Sequence, residues 1–228
     1  MAYVKQAGRQ WYMCLTNTFL KFGYTCCETE HCIFVRWSGS EFTAIVIAMD
    51  DLTIVATLII LVEDAKHELE SVFKISDLGE VHWPLGIEIT WDHSTHTISL
   101  SQTTYIDAIT LHFDLDNAKP VSTPMELGLM LSVTQCPKTL FEINEMKSMP
   151  YKVAVGSLMY AAIGTCPDIA FAVSLLGQFM HNPGKPHWKV AKHILRYLKG
   201  SCELKLTYRG TLNGITVYSD VDLALQEH

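Results

Sequence analysis

Charge is scarce in this sequence. Charged residues fill 18% of its 228 positions, while hydrophobic residues fill 49%. A disordered chain needs the opposite balance, so disorder is excluded. The 13 glycines and 8 prolines are too few for a collagen-like or linker sequence. Basic residues are outnumbered, 17 Lys and Arg against 24 Asp and Glu, for a net charge of −7. That balance argues against nucleic-acid binding over the whole surface and leaves room for a local basic patch. There is no glycine-rich Walker loop, and Ser157 and Ser174 lie within helical patterns without a nucleophile turn, so hydrolase chemistry has no support. The first ten residues lack an apolar stretch, so no secretory signal is predicted. A cytoplasmic or nuclear protein with reduced thiols is the expectation, and the odd number of cysteines, 7, cannot all pair within one chain. Cys26, Cys27, His31 and Cys32 cluster, but their spacing fits no zinc pattern.

What is present begins with one long apolar run. Phe42–Val62 is long enough to span a bilayer, but Asp50 and Asp51 sit in its middle. Each would cost about 2.5–3.5 kcal/mol at the centre of a spanning helix. β-Branched residues crowd both flanks, so the run reads as a buried hairpin instead: Thr43–Met49, a turn at Asp50–Asp51, then Leu52–Thr57. No membrane association is expected. Helical spacing is predicted over Trp11–Gly23, Glu63–Phe73, Thr103–Phe113, Tyr151–Ile163, Pro167–Met180 and Pro186–Lys199. Strands are predicted at Cys32–Trp37, Trp83–Trp91, Thr97–Ser101, Glu203–Tyr208 and Gly214–Ser219. Residues 117–147 carry Pro120, Pro124 and Pro137 with no sustained period, and read as a boundary.

Two patterns could carry chemistry. Adjacent carboxylates between apolar strands repel one another, and burial penalises their ionised forms. A divalent cation removes that penalty, and Mg²⁺ favours one or two carboxylates together with substrate phosphates. Two-metal phosphoryl chemistry needs a further carboxylate. The alternative for Asp50–Asp51 is a plain polar turn in water. The second pattern is a basic stripe, with Lys185, Lys189, Lys192, Arg196 and Lys199 three to four residues apart. On a helix they share one face beside the apolar stripe Trp188, Ala191, Leu195 and Leu198. Such a face could track phosphates or could simply be solvated. His93 and His96 flank a predicted turn and read as ordinary histidines, as do His67, His82 and His112.

Several motifs in order resemble the reverse-transcriptase part of copia-type LTR retrotransposon polyproteins. They are V-K-Q-A-G-R-Q-W-Y (Val4–Tyr12), A-M-D-D-L (Ala48–Leu52), F-K-I-S-D-L-G-E-V (Phe73–Val81) and L-G-I-E-I (Leu85–Ile89). I-S-L-S-Q-T-T-Y-I (Ile98–Ile106), N-A-K-P-V-S-T-P-M (Asn117–Met125), Y-K-V-A-V-G-S-L-M-Y-A-A (Tyr151–Ala162) and P-D-I-A-F-A-V (Pro167–Val173) follow. The stretch His187–Gly200 and Y-S-D-V-D-L-A (Tyr218–Ala224) complete the series.

The resemblance implies an α+β fold. A partial right-hand polymerase palm, an antiparallel sheet with helices, would occupy residues 1–115. Thumb and connection helices would occupy 116–200, and the start of a ribonuclease H domain 201–228. Asp50 and Asp51 would match two of three palm aspartates that bind Mg²⁺, with Mn²⁺ as substitute. Asp220 would match the first ribonuclease H carboxylate. Gln6 and Arg9 would lie near template and incoming nucleotide. The implied partners are an RNA or DNA template–primer and deoxynucleoside triphosphates, and the basic stripe would hold the nucleic-acid backbone.

The departures from the pattern also carry expectations. The family's first palm aspartate precedes the K-Q-A stretch at which this chain begins, and the ribonuclease H portion stops before its other carboxylates. Ala48 replaces a Tyr, Gly8 a Pro, Cys166 an Arg and Leu223 a Trp, and Pro84 interrupts a strand motif. The expectation is an incomplete polymerase, inactive alone. The competing expectations are a non-catalytic nucleic-acid-binding remnant and a misfolded pseudogene product.

Overall fold

The computed structural model describes residues 6–210. Within them the apolar spacing of Leu15 and Phe19 winds helix α1, Ala7–Lys21, with both side chains fully buried. It stops where Gly23 takes a left-handed backbone conformation, φ 82°. Four antiparallel strands follow in spatial order β1 (Thr25–Cys26), β2 (Ile33–Ser38), β3 (Glu41–Ala48) and β4 (Asp51–Ala56). In β3 the side chains of Thr43, Ile45 and Ile47 alternate inward, the period-two burial of a strand with one face on a core. Helix α2, Ile59–Glu70, adds Ala65 and Leu69. Phe34, Phe19, Tyr24, Ile45, Ile47, Leu15 and Leu69 close the core, with the Phe19 and Phe34 rings edge to face at 5.0 Å.

Residues up to Val81 form one compact unit and those from His82 a second. In the second, β5 (Glu88–Asp92), β6 (Thr97–Ser101) and β7 (Leu206–Arg209) form an antiparallel sheet. One face carries Trp91, Ile98 and Tyr208 on one rung and Ile89, Leu100 and Leu206 on the next. The other face is polar, with Ser99 and Thr207 hydroxyls 3.1 Å apart. Helices α3 (Thr103–His112), α4 (Leu140–Lys147), α5 (Tyr151–Gly164), α6 (Ala170–Gly177) and α7 (Lys185–Ser201) complete the unit, and all but α4 supply side chains to the larger core. Leu158, Ile169, Leu176, Ile194, Leu195 and Leu198 are fully buried in it. The Tyr151 hydroxyl ties α5 to α6 by donating to the Leu176 carbonyl at 2.8 Å, and burial pushes its pKa up.

The α+β expectation agrees with these sheets and helices, and several finer expectations need correction. The predicted strand Trp83–Trp91 shortens to β5, because Pro84–Gly86 forms a 3₁₀ turn in which Leu85 and Gly86 have positive φ. The Tyr160 hydroxyl donates to the Leu85 carbonyl there. The predicted helix Pro167–Met180 splits into a 3₁₀ turn, Pro167–Ile169, and α6. The helix predicted at Glu63–Phe73 begins earlier, at Ile59, and ends at Glu70. The 117–147 stretch, in which the sequence shows no sustained period, holds α4, capped by Thr139 and Glu142 in a reciprocal capping box. The predicted strand Gly214–Ser219 lies outside the described residues. Among the described residues no helix is long and apolar enough to cross a membrane, and Phe42–Val62 is β-hairpin plus the start of α2.

Candidate catalytic turn and nucleic-acid interface

The hairpin of β3 and β4 places the carboxylates. Its register pairs Ile47 with Leu52 and Ala48 with Asp51, which leaves Met49 and Asp50 as a two-residue turn. The turn therefore sits one residue earlier than the Asp50–Asp51 predicted from sequence, and Asp51 is the first residue of β4. Met49 has φ 59°, the left-handed conformation that short hairpin turns require at their first central position. Both carboxylates are exposed, just beyond the buried end of β3. Neither has a hydrogen bond or ion pair among the described residues. Asp50 and Asp51 thus present unengaged oxygens from neighbouring positions, the donor type a hard divalent cation accepts. Among the described residues no group of three or more His, Cys, Asp or Glu side chains is arranged to hold a metal. Gln6 stands at the N-cap of α1 and Arg9 in its first turn, both exposed. Asp220 lies outside the described residues.

The basic stripe falls on α7 over its whole length, but its members differ. Lys185 pairs with Glu145 of α4 at 2.8 Å. The Lys192 ammonium lies 5.8 Å from the Trp188 ring centre, and Lys189 is exposed without an ion pair among the described residues. Arg196 donates through Nε to the Lys119 carbonyl at 2.7 Å, and Lys199 to the Leu115 carbonyl at 3.4 Å. His193, beside the stripe, donates through Nε2 to the Thr123 carbonyl at 2.9 Å. Sequence reasoning missed this contact. It left no signal in the sequence, because the acceptor is a main-chain carbonyl.

At the start of α7, His187 is fully buried. Its Nδ1 accepts the Gly184 N–H at 2.9 Å, and the ring lies 4.0 Å from Phe179, centre to centre. Burial depresses its pKa below the ordinary value. At the β5–β6 turn, Asp92 accepts from the hydroxyls of Ser94 (2.6 Å) and Thr95 (2.7 Å) and from both their backbone N–H groups. The hydroxyls, first, and the N–H groups hold its carboxyl at about 2. His96 takes φ 52° in this turn and His93 stacks on Trp91 at 4.9 Å.

Comparison with known proteins adds the family. Residues 1–127 match the family described as reverse transcriptase (RNA-dependent DNA polymerase). The retrovirus-related Pol polyprotein from transposon TNT 1-94 of Nicotiana tabacum is 39% identical over 222 residues, 97% of this chain and 17% of that protein. The polyprotein from transposon RE1 of Arabidopsis thaliana is 34% identical over 97% of this chain and 14% of its own length. The putative transposon Ty5-1 protein of Saccharomyces cerevisiae is 32% identical over 95% of this chain and 68% of its own. The chain thus spans under a fifth of the two plant polyproteins. No solved structure matches.

Proposed function

Since the chain belongs to the reverse transcriptase family of copia-type retrotransposon polyproteins, we propose that its β3–β4 turn is the metal-binding turn of a nucleotidyl transferase. The observation that carries this reading is the pair Asp50–Asp51, exposed and without a protein partner among the described residues at the tip of a hairpin whose register is set by buried residues. The two carboxylates would hold Mg²⁺, with Mn²⁺ as substitute. Bound there, the cation would neutralise triphosphate charge and favour deprotonation of the primer hydroxyl. The substrates are deoxynucleoside triphosphates and a template–primer, whose backbone the α7 cations contact through Lys189 and Lys192 first. Gln6 and Arg9 are proposed on the nucleotide side, and Asp220 as a ribonuclease H ligand.

This polypeptide on its own is proposed to be inactive. Two-metal transfer calls for a third carboxylate, and no such cluster occurs among the described residues. The test is primer extension on an RNA template with Mg²⁺ or Mn²⁺, run beside Asp50→Asn/Asp51→Asn. No extension is expected, together with Mn²⁺ binding that the double variant abolishes. Extension by the parent that the double variant lacks would overturn the inactivity. Loss of neither binding nor extension in the variant would overturn the site itself.

The α7 face favours a second reading, a nucleic-acid-binding module without catalysis. Its mark is duplex binding that weakens with salt and is indifferent to Asp50→Asn. A misfolded product would instead show no cooperative melt as a soluble species.

A further inference from the structure

Three side chains on consecutive steps of α7 grip one stretch of backbone. His193, Arg196 and Lys199 donate to the carbonyls of Thr123, Lys119 and Leu115 respectively. As the helix runs forward the segment runs backward, so residues 115–123 lie antiparallel along α7. The fit is close at its far end: a Cβ on Gly200 would stand 3.0 Å from the Pro120 side chain. Beyond Thr123 the segment continues along the helix, and Met125 and Leu129 face Val190 across a cleft of about 410 Å³. The prolines of this segment suit it to the task. Pro120 and Pro124 fix φ and have no N–H to satisfy, so the segment can lie flat on a helix while its carbonyls take partners from the side.

A backbone carbonyl offers a donor what a phosphate oxygen offers it, with partial charge in place of a full one. The segment therefore occupies part of the cationic face that a nucleic acid would use. We propose that residues 115–123 form a strap held by His193, Arg196 and Lys199, and that these three are positioning residues while Lys189 and Lys192 meet phosphate. The second half of this proposal rests on the reading of α7 as a nucleic-acid interface, and the first half does not.

The two halves are tested separately on the full chain. Hydrogen exchange of residues 114–125, without nucleic acid, reads the strap. Arg196→Ala/Lys199→Ala is expected to raise exchange there several-fold. Arg196→Gln/Lys199→Gln keeps an amide donor without the charge and is expected to restore much of the protection. Unchanged exchange in the alanine variant would overturn the strap. Binding to a short DNA duplex across a salt series reads the phosphate contacts, since each one lost flattens the plot of log affinity against log salt by about 0.9. Lys189→Gln/Lys192→Gln is expected to flatten the slope by about 1.8. That corresponds to about a 12-fold smaller loss of affinity over a fourfold rise in salt. Arg196→Gln/Lys199→Gln is expected to leave the slope unchanged. Equal flattening by the two glutamine pairs would overturn the division of roles. If the parent shows no salt-dependent binding, the interface reading and the division fall together, and the exchange experiment alone decides the strap.

Discussion

Arg36 and Glu68 join the first sheet to its helix. The Arg36 Nη1 group lies 2.7 and 3.0 Å from the two carboxylate oxygens of Glu68, β2 to α2, and also donates to the Phe22 carbonyl at 2.9 Å. The guanidinium lies 4.4 Å from the Tyr24 ring centre. Burial, with the neighbouring Glu68 and against the attraction of Arg36, pushes the Tyr24 hydroxyl up to about 12.

Removing Arg36 is therefore expected to cost more than an exposed ion pair. Arg36→Ala loses three contacts at once and should destabilise the chain by about 2 kcal/mol. Arg36→Lys should recover less than half, because an ammonium cannot serve the carboxylate, the carbonyl and the ring together. Urea unfolding of the three proteins measures both differences.

His187 should make the second unit sensitive to mild acid. Its pKa is depressed in the folded state, so the unfolded chain takes up the proton first. Stability is full above about pH 6.5, the ordinary histidine value, and falls as pH drops through that value toward the folded one. The slope contributed by one such group is at most about 1.4 kcal/mol per pH unit. His187→Asn, which keeps an acceptor for the Gly184 N–H and cannot titrate, should flatten the dependence between pH 7 and 5 in thermal melts.

Gly184 lacks room for any side chain. A Cβ there would fall well inside contact distance of the Gln135 carbonyl oxygen. Because that atom is backbone, Gly184→Ala must move either the helix start or the 132–136 turn, and it should cost about 2 kcal/mol. A drop in melting temperature without loss of helix content by circular dichroism would fit a displaced helix start.

Met49 bears strain at the proposed metal turn. A non-glycine residue in the left-handed region costs about 1–2 kcal/mol, and glycine returns about 0.4–1 kcal/mol of that through the unfolded chain. Met49→Gly should thus stabilise by about 0.5 kcal/mol, measured by the midpoint of denaturant unfolding. No change in Mn²⁺ binding is expected, since Met49 contributes no oxygen from its side chain.

Much of this architecture could be read in the residues because their periods are clean. Ile45 and Ile47 alternate, Leu15 and Phe19 repeat at helical spacing, and Asp50–Asp51 interrupt an apolar run and so mark a hairpin there, to within one residue of its turn. What escaped depends on tertiary contact or weak local signals. Pro84 looked like a flaw in a strand, and it instead opens a turn whose carbonyl accepts from Tyr160, 75 residues away in sequence. Helix α4 has little apolar period, so only Thr139 and Glu142, three apart, announced it. The basic stripe on α7 was visible as spacing, but the partners of Arg196 and Lys199 are carbonyls, and a sequence carries no mark of where a carbonyl will lie.

The turn between β3 and β4 also separates two demands on the same hairpin. Its register is fixed by what lies underneath: a one-residue slip would turn Leu52 and Ile54 away from the core. The acids at its tip answer to nothing in the fold. Asparagine at 50 and 51 should leave the melting curve where it was, so a change in metal binding by that variant reads chemistry alone. By the same reasoning, folding would tolerate almost any small polar pair at these two positions, so the scaffold alone does not call for two carboxylates.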